Sequence, residues 1–383
     1  MPTRTDSPPV RVLLVEDDPG DIARVNTFLD QAAASSFTVT SVPGRSAAAG
    51  DLGAQSYDLV LLGLEGPAMR AGDGFEAIRR IGKAAPVVVL SGLDDEDIAV
   101  KAVQRGAQDY LVKDRLTVDL LVRSIRYARE RHRLLAEQTK RLEHELKIAA
   151  FVQQSFLPER VPDVPGHDIG AHLHTSGQVG GDFYDFIDLP PDRVAIALGD
   201  ASGKGIPGAI LMAETQGILR AEAATCASPT ELVSTLNRAL LRDQDQDRFV
   251  TLFYGVLAFP TGQFTFVNAG HPRALLVDGA SESSLLSTGP PLRLFAGAAW
   301  EEQTVTLGAG ARLVIYSDGV TEAQDDAAGF FDLEGVRAVM GRQPDCTAVE
   351  LARNICHAAE EFERENSDPG DDKTVVVVRA LGS

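Results

Sequence analysis

The chain has 383 residues, 44% of them hydrophobic, enough to bury the cores of two or three domains. A formal net charge of -19 argues against a nucleic-acid or anionic-membrane partner, since both need a basic footprint. Cys226, Cys346 and Cys356 show no C-x-x-C spacing and read as reduced thiols. No basic-then-apolar leader opens the chain and no apolar run nears roughly eighteen residues, so a cytoplasmic protein is expected.

After a short Pro-containing tail, Val10 to Val15 reads as a buried strand running into the acidic cluster Glu16-Asp17-Asp18. A helical stretch from Asp21 to Ala34 follows. Strands at Thr38–Val42, Leu59–Leu62, Pro86–Leu90 and Asp109–Val112 then alternate with helices at Gly74–Ile81 and Asp94–Arg105. Regular βα alternation predicts a doubly wound, flavodoxin-like parallel sheet whose functional groups gather at the carboxyl ends of the strands. The residues resemble the two-component receiver domain. The resemblance puts Glu16 and Asp17 at its metal-binding acidic pair, Ser91 at its switch hydroxyl, Tyr110 at its switch aromatic and Lys113 at its pocket lysine. One position departs: in Leu59-Val60-Leu61-Leu62-Gly63-Leu64-Glu65 the phosphoacceptor aspartate falls on Gly63, which has no side chain to phosphorylate. Glu65, two residues on, shares its face but lies beyond the strand end. Residues 1–118 are therefore expected to form a pseudo-receiver, a module that binds protein without an aspartyl-phosphate switch.

Residues 119–160 read as long helix rich in Arg, Glu, Leu and Ala. Alternate steps of four and three from Leu121 trace Ile125, Ala128, His132, Leu135, Thr139, Leu142, Leu146, Ala149, Gln153 and Phe156. Such a heptad seam predicts a coiled-coil homodimer, with polar His132, Thr139 and Gln153 fixing register. The alternative is a single amphipathic helix packed on its own domains. Pro158, Pro162 and Pro165 end the helix.

From 161 to 383, acidic residues stand at strand ends. Gly180-Gly181-Asp182 opens the strand Phe183–Asp188, and the apolar run Val194–Leu198 delivers Asp200 to the turn Ala201-Ser202-Gly203-Lys204-Gly205. Leu313–Tyr316 leads to Asp318, and Asp371-Asp372-Lys373-Thr374 opens the strand Val375–Val378. Four carboxylates on strand ends are the donor set of a hard divalent cation. Helices are expected from Pro207, over Thr230–Leu241 and over Val349–Arg364. Thr251–Phe259, Gln263–Asn268 and Arg273–Val277 read as an antiparallel meander.

The motifs GGDFYD at 180–185, GDASGKGIPGAIL at 199–211, NAGHP at 268–272, YSDGVTEA at 316–323 and DDKT at 371–374, in that order, resemble the metal-dependent type 2C serine/threonine protein phosphatases in their SpoIIE-like (RsbU-like) bacterial branch. The resemblance covers about 145–383 and implies an α/β/β/α sandwich. It implies two Mn²⁺ or Mg²⁺ ions that activate a water toward phosphorus. Asp200 would bridge them with help from the Ala201 carbonyl, Asp182 would hold one, and Asp318 and Asp371 the other. Asp372 and Asp185 are expected to stand behind these ligands, and Lys204 near the substrate. In the family the substrate is commonly a phosphorylated STAS-domain anti-sigma factor antagonist, and the helix before the catalytic domain couples a regulator to the metal site.

Other candidates carry less. His271 in a Gly-His-Pro turn reads as a turn-stabilising residue, leaving no evident general acid. His172 and His174 alternate on a strand with nothing to complete a zinc site. Lys204 lacks the spacing of a nucleotide-binding loop. The competing function is a catalytically silent signalling adaptor that binds partners through the pseudo-receiver and linker, its aspartates being structural.

Overall fold

Val10–Val15 form β1, and apart from the half-buried Arg11 its residues are apolar and buried, as a strand covered on both faces needs. The computed structural model describes residues 8–32, 36–43, 56–64, 73–82, 85–241, 248–325, 329–363 and 370–382. The chain divides into two compact units, Met1–Glu143 and His144–Ser383.

In the first unit β1 joins β2 (Phe37–Val42), β3 (Leu59–Leu64), β4 (Val87–Ser91) and β5 (Ala107–Val112) in a parallel sheet of order β2-β1-β3-β4-β5. The helices are α1 (Pro19–Asp30), α2 (Asp73–Ile81), α3 (Glu96–Gln104) and the start of α4 (Val118–Gln154). Asp18 and Asp95 cap α1 and α3 by accepting from the Asp21 and Ile98 amides. One face of the sheet packs Leu13, Val60 and Val89 with Ile78, Ile81 and Ala102; the other packs Leu14, Leu61 and Leu90 with Val25, Leu29, Leu121 and Ile125. Glu65 lies outside the described residues.

The 37-residue α4 uses its predicted seam unevenly. Leu121, Ile125 and Ala128 are buried in the first unit's own core, whereas Leu135 and Leu142 stand 51% and 57% exposed. Gln153 is turned to a backbone target described below rather than along a seam.

The second unit is built on two antiparallel sheets. One has the order β13-β10-β9-β8-β7, from β7 (Asp182–Leu189), β8 (Arg193–Ala201), β9 (Val250–Ala258), β10 (Gln263–Ala269) and β13 (Gln303–Thr306). The other has the order β12-β11-β14-β15-β6, from β6 (His167–His174), β11 (Ala274–Asp278), β12 (Ser281–Leu285), β14 (Arg312–Tyr316) and β15 (Lys373–Ala380). Ile196, Leu198, Phe253, Phe264 and Phe266 of the first sheet meet Ile169, Leu313, Ile315, Val376 and Val378 of the second. The outer faces carry α5 (Ile206–Glu222) and α6 (Pro229–Leu240) on one side, and α8 (Asp332–Arg342) and α9 (Ala348–Glu363) on the other, after the single-turn α7 (Asp318–Thr321). The layering is α/β/β/α. Gly255 makes room for the Phe264 ring, whose Cε1 would lie 2.7 Å from a Cβ there and whose Cζ would lie closer still.

The expected meander is corrected by the pairing. β9 and β10 are antiparallel neighbours, but β11 pairs with β12 and β14 in the other sheet. The NAGHP segment is therefore a crossover between sheets, not a hairpin turn. Gly270, at φ 67°, makes that crossover possible against Pro291, whose nitrogen would lie 2.7 Å from a Cβ.

Candidate active site

The two sheets bring their acidic ends together. Asp182 and Asp200 face each other as register partners on β7 and β8, so their side chains share one side of the sheet. Asp318 follows β14 and Asp371 precedes β15, its antiparallel neighbour. Gly319 permits that approach, since a Cβ there would stand 3.1 Å from the Cβ of Asp371. Gly181 does the same for Asp200, whose Oδ1 would lie 3.0 Å from a Cβ, and for the Ala201 carbonyl, which such a Cβ would strike.

Asp182 is 3% exposed, and Thr374 Oγ1 donates to its Oδ2 at 2.5 Å, tying β15 to β7 across the sandwich. Ser317, fully buried, donates to the Asp372 carbonyl at 3.3 Å, and its Oγ accepts from the Thr374 amide at 3.0 Å. Asp200 and Asp318 are half-buried and Asp371 is exposed, so the cluster opens toward solvent on one side.

The carboxylates act on one another. Burial first, then Asp200, drives Asp182 well above the usual carboxylate range, against the opposing pull of Thr374. Burial, then Asp318, Asp371 and Asp372, pushes Asp200 up to about 7. Asp318 is raised by burial and Asp371. Carboxylates desolvated beside like charge are a site that a cation stabilises. Among the described residues, no three His, Cys, Asp or Glu side chains close around one ion. A hard cation of the Mg²⁺ type keeps several waters and takes one or two carboxylates, so this open arrangement with an adjacent backbone carbonyl fits it.

Asp372 and Asp185 do not face this cluster as ligands. Asp372 accepts from the Gly181 amide at 2.8 Å and the Ser176 amide at 2.9 Å, stapling the loop before β7. Asp185, 2% exposed, holds Arg220 Nε at 2.5 Å and Gln216 Nε2 at 3.0 Å, both from α5. Those two side chains also donate to the Phe156 carbonyl, at 2.6 and 3.0 Å. Lys204 is exposed and its Nζ lies 3.5 Å from the Gly370 carbonyl, beside Asp371. His271 is buried in the crossover. Its amide donates to Asn268 Oδ1 at 2.8 Å, its Nδ1 meets Thr251 Oγ1 at 2.8 Å, and burial lowers it to about 3.

Three further residues contribute whose roles no motif spells out. Thr374 and Ser317 sit inside recognised motifs, and only the packing of β14 and β15 reveals their partner. Gln153, read as a seam residue, donates from Nε2 to the Gly180 carbonyl at 2.6 Å and accepts from the Gly180 amide at 3.0 Å.

In the first unit, Glu16 and Lys113 are buried, 2.7 Å apart, and Asp21 joins Lys113 at 2.8 Å. Asp17 is exposed, Ser91 Oγ accepts from the Leu93 amide, and Tyr110 Oη donates to the Leu93 carbonyl at 2.9 Å.

Residues 190–381, half of the chain, match the family model of stage II sporulation protein E, SpoIIE. The chain belongs to the SpoIIE family. Residues 12–126 match the response regulator receiver domain, so a SpoIIE-family serine/threonine phosphatase domain follows a receiver domain in the chain. Phosphoserine phosphatase RsbU of Bacillus subtilis is 28% identical over 254 residues, covering 66% of this chain and 75% of RsbU. Protein IcfG of Synechocystis is 30% identical over 215 residues, 49% of this chain but 34% of IcfG. The solved SiaA-PP2C domain of Pseudomonas aeruginosa shares the fold, with a TM-score of 0.55 and 20% identity over 64% of this chain and 99% of that domain. No described helix of this SpoIIE-family phosphatase is long and apolar enough to cross a membrane.

Proposed function

We propose that the protein removes phosphate from phosphoserine or phosphothreonine on a partner protein, using two divalent cations, Mn²⁺ or Mg²⁺, held by Asp182, Asp200, Asp318 and Asp371 with the Ala201 carbonyl. The observation that carries this reading is the convergence of those aspartates from two sheets, with Asp182, Asp200 and Asp318 raised by burial and by one another. Bound cations supply a water of lowered pKa and neutralise charge on the phosphoryl oxygens. The protein's own groups orient that chemistry. Thr374 fixes the Asp182 carboxylate, and Ser317 holds Thr374 by accepting from its amide. Asp372 holds the loop that carries Asp182, through the Gly181 amide. Lys204 offers an ammonium at the rim beside Asp371 for the phosphate dianion. His271, kept neutral by burial, is no proton donor at neutral pH, so the leaving serine oxygen takes its proton from water.

RsbU bears the name phosphoserine phosphatase, and the motif resemblance favours a phosphorylated STAS-domain anti-sigma factor antagonist as the substrate, with signalling in a stress response. The receiver, lacking a carboxylate at Gly63, acts as a protein-binding pseudo-receiver. The exposed seam around Leu135 and Leu142 suits pairing of two copies through α4 in the cytoplasm. Gln153, gripping Gly180 two residues before Asp182, positions the site from the end of α4. Hydrolysis of a phosphoserine protein, with and without Mn²⁺, tests the reading. Activity that needs Mn²⁺ and vanishes in a folded Asp200→Ala variant is expected, and no activity under any cation would leave the silent adaptor instead.

A further inference from the structure

The space where position 63 of the receiver would carry its side chain is filled. A Cβ built on Gly63 falls on the Glu16 carboxylate, 2.7 Å from its carboxyl carbon, with the Val15 carbonyl 3.0 Å away. Glu16 arrives from the end of β1, the strand paired with β3, and its longer arm reaches the slot an aspartate on β3 would occupy. Its Oε2 meets Lys113 Nζ at 2.7 Å, while Oε1 accepts from the Asp17 and Asp18 amides at 3.0 and 3.2 Å. Asp21 Oδ2 takes the same ammonium at 2.8 Å. Glu16 and Lys113 are 6% and 7% exposed, so this carboxylate faces a lysine rather than solvent. Burial alone would lower Lys113; the carboxylates of Asp21 and Glu16 beside it outweigh that and raise it, keeping the ammonium charged.

We propose that Glu16 replaces the missing carboxylate of position 63, closing the receiver pocket as an internal Glu16–Lys113–Asp21 ion triad that takes up neither a phosphoryl group nor a divalent cation. A buried ammonium needs a partner wherever it sits. In this chain the partner comes from the end of β1 in place of β3, so Lys113 is paired without a carboxylate at position 63. The inference rests on the reading of residues 1–118 as a receiver without its phosphoacceptor. It adds that restoring the aspartate alone does not restore the site, because Glu16 stands in its place.

Intact-mass measurement on the full chain, incubated with acetyl phosphate and Mg²⁺, separates the two claims. The native chain is expected to gain no phosphoryl mass; a phosphoryl adduct on its receiver would refute the pseudo-receiver reading and the triad together. Gly63→Asp alone is expected to stay unlabelled. The double variant Glu16→Asp/Gly63→Asp, whose shorter arm at position 16 withdraws from the slot while keeping an acid there, is expected to label. Equal labelling of the single and double variants, or a folded double variant that takes no label, overturns the triad while leaving the pseudo-receiver intact. Should the double variant not fold, hydrogen exchange on Glu16→Ala decides. Loss of the carboxylate that accepts from the Asp17 and Asp18 amides should speed their exchange roughly tenfold, and unchanged exchange overturns the proposal.

Discussion

Removing Arg220 tests how α5 is tied to β7 and to the Phe156 carbonyl within the catalytic unit. Asp185 is 2% exposed and takes two bonds from Arg220, Nε at 2.5 Å and Nη2 at 3.2 Å, plus one from Gln216 at 3.0 Å and one from the Phe186 amide at 2.9 Å. Arg220→Ala leaves a buried carboxylate with neutral donors only and strips one donor from the Phe156 carbonyl. Breaking a buried pair costs about 3–5 kcal/mol. The Arg220 side chain is 40% exposed, and solvent screening reduces the loss to about 2–3 kcal/mol. For a domain of this size that lowers the melting transition by about 5–10 °C. Calorimetry on the full chain should show the phosphatase transition moving by that amount and the receiver transition staying in place. Asp185→Asn/Arg220→Ala, which removes the orphaned charge, should recover part of the loss. An Arg220→Ala transition indistinguishable from the native one would refute the argument, because Asp185 would then be sharing its charge with water.

Thr374→Val keeps the shape of the side chain and deletes the donor to Asp182. Disturbing an orienting partner of this kind costs about 10–100-fold in metal affinity or activity, readable by Mn²⁺ titration of the phosphatase rate; an unchanged rate and affinity would remove Thr374 from the site. Gly181→Ala should abolish activity, because its Cβ strikes the Ala201 carbonyl, a backbone atom that cannot rotate away; near-native turnover would contradict the packing. His271 has a folded value of about 3 against an ordinary 6.5. The neutral ring therefore contributes its stability in full above about 6.5, and that contribution is lost as pH falls toward 3. Urea unfolding between pH 7 and pH 4 should show a steeper loss for the native chain than for a folded His271→Gln variant, and parallel curves would count against the buried neutral ring.

Local patterning accounts for most of what was readable beforehand. The apolar run Val194–Leu198 needs a covered strand whatever its surroundings, and it lies within β8. The alternation from Val10 to Val112 likewise leaves few topologies for the first unit, and the parallel sheet follows. The aspartates were legible because strand ends ending in acid recur four times. What was hidden depends on partners far along the chain. Asp185 sits three residues after Asp182 in one motif, yet it points to α5, because alternate and non-alternate positions on β7 face different layers. The departure of β11 for the second sheet is decided by which apolar face it covers, and the spacing from β10 does not encode that. Gln153 fits a heptad count and still turns to Gly180, since a nearby backbone carbonyl and amide satisfy both ends of its side chain. Glu16 aligns with a cation-binding position in the motif, and only the contact with Lys113 across the slot at Gly63 reveals its inward turn.

Direct titration of Mn²⁺ into the full chain, followed by electron paramagnetic resonance, tests the centre of this account. It predicts two ions bound per chain, both in the phosphatase unit, with binding lost or weakened at least tenfold in a folded Asp200→Ala variant and unaffected by Glu16→Ala. Binding of the same stoichiometry and affinity in native and Asp200→Ala protein would contradict it.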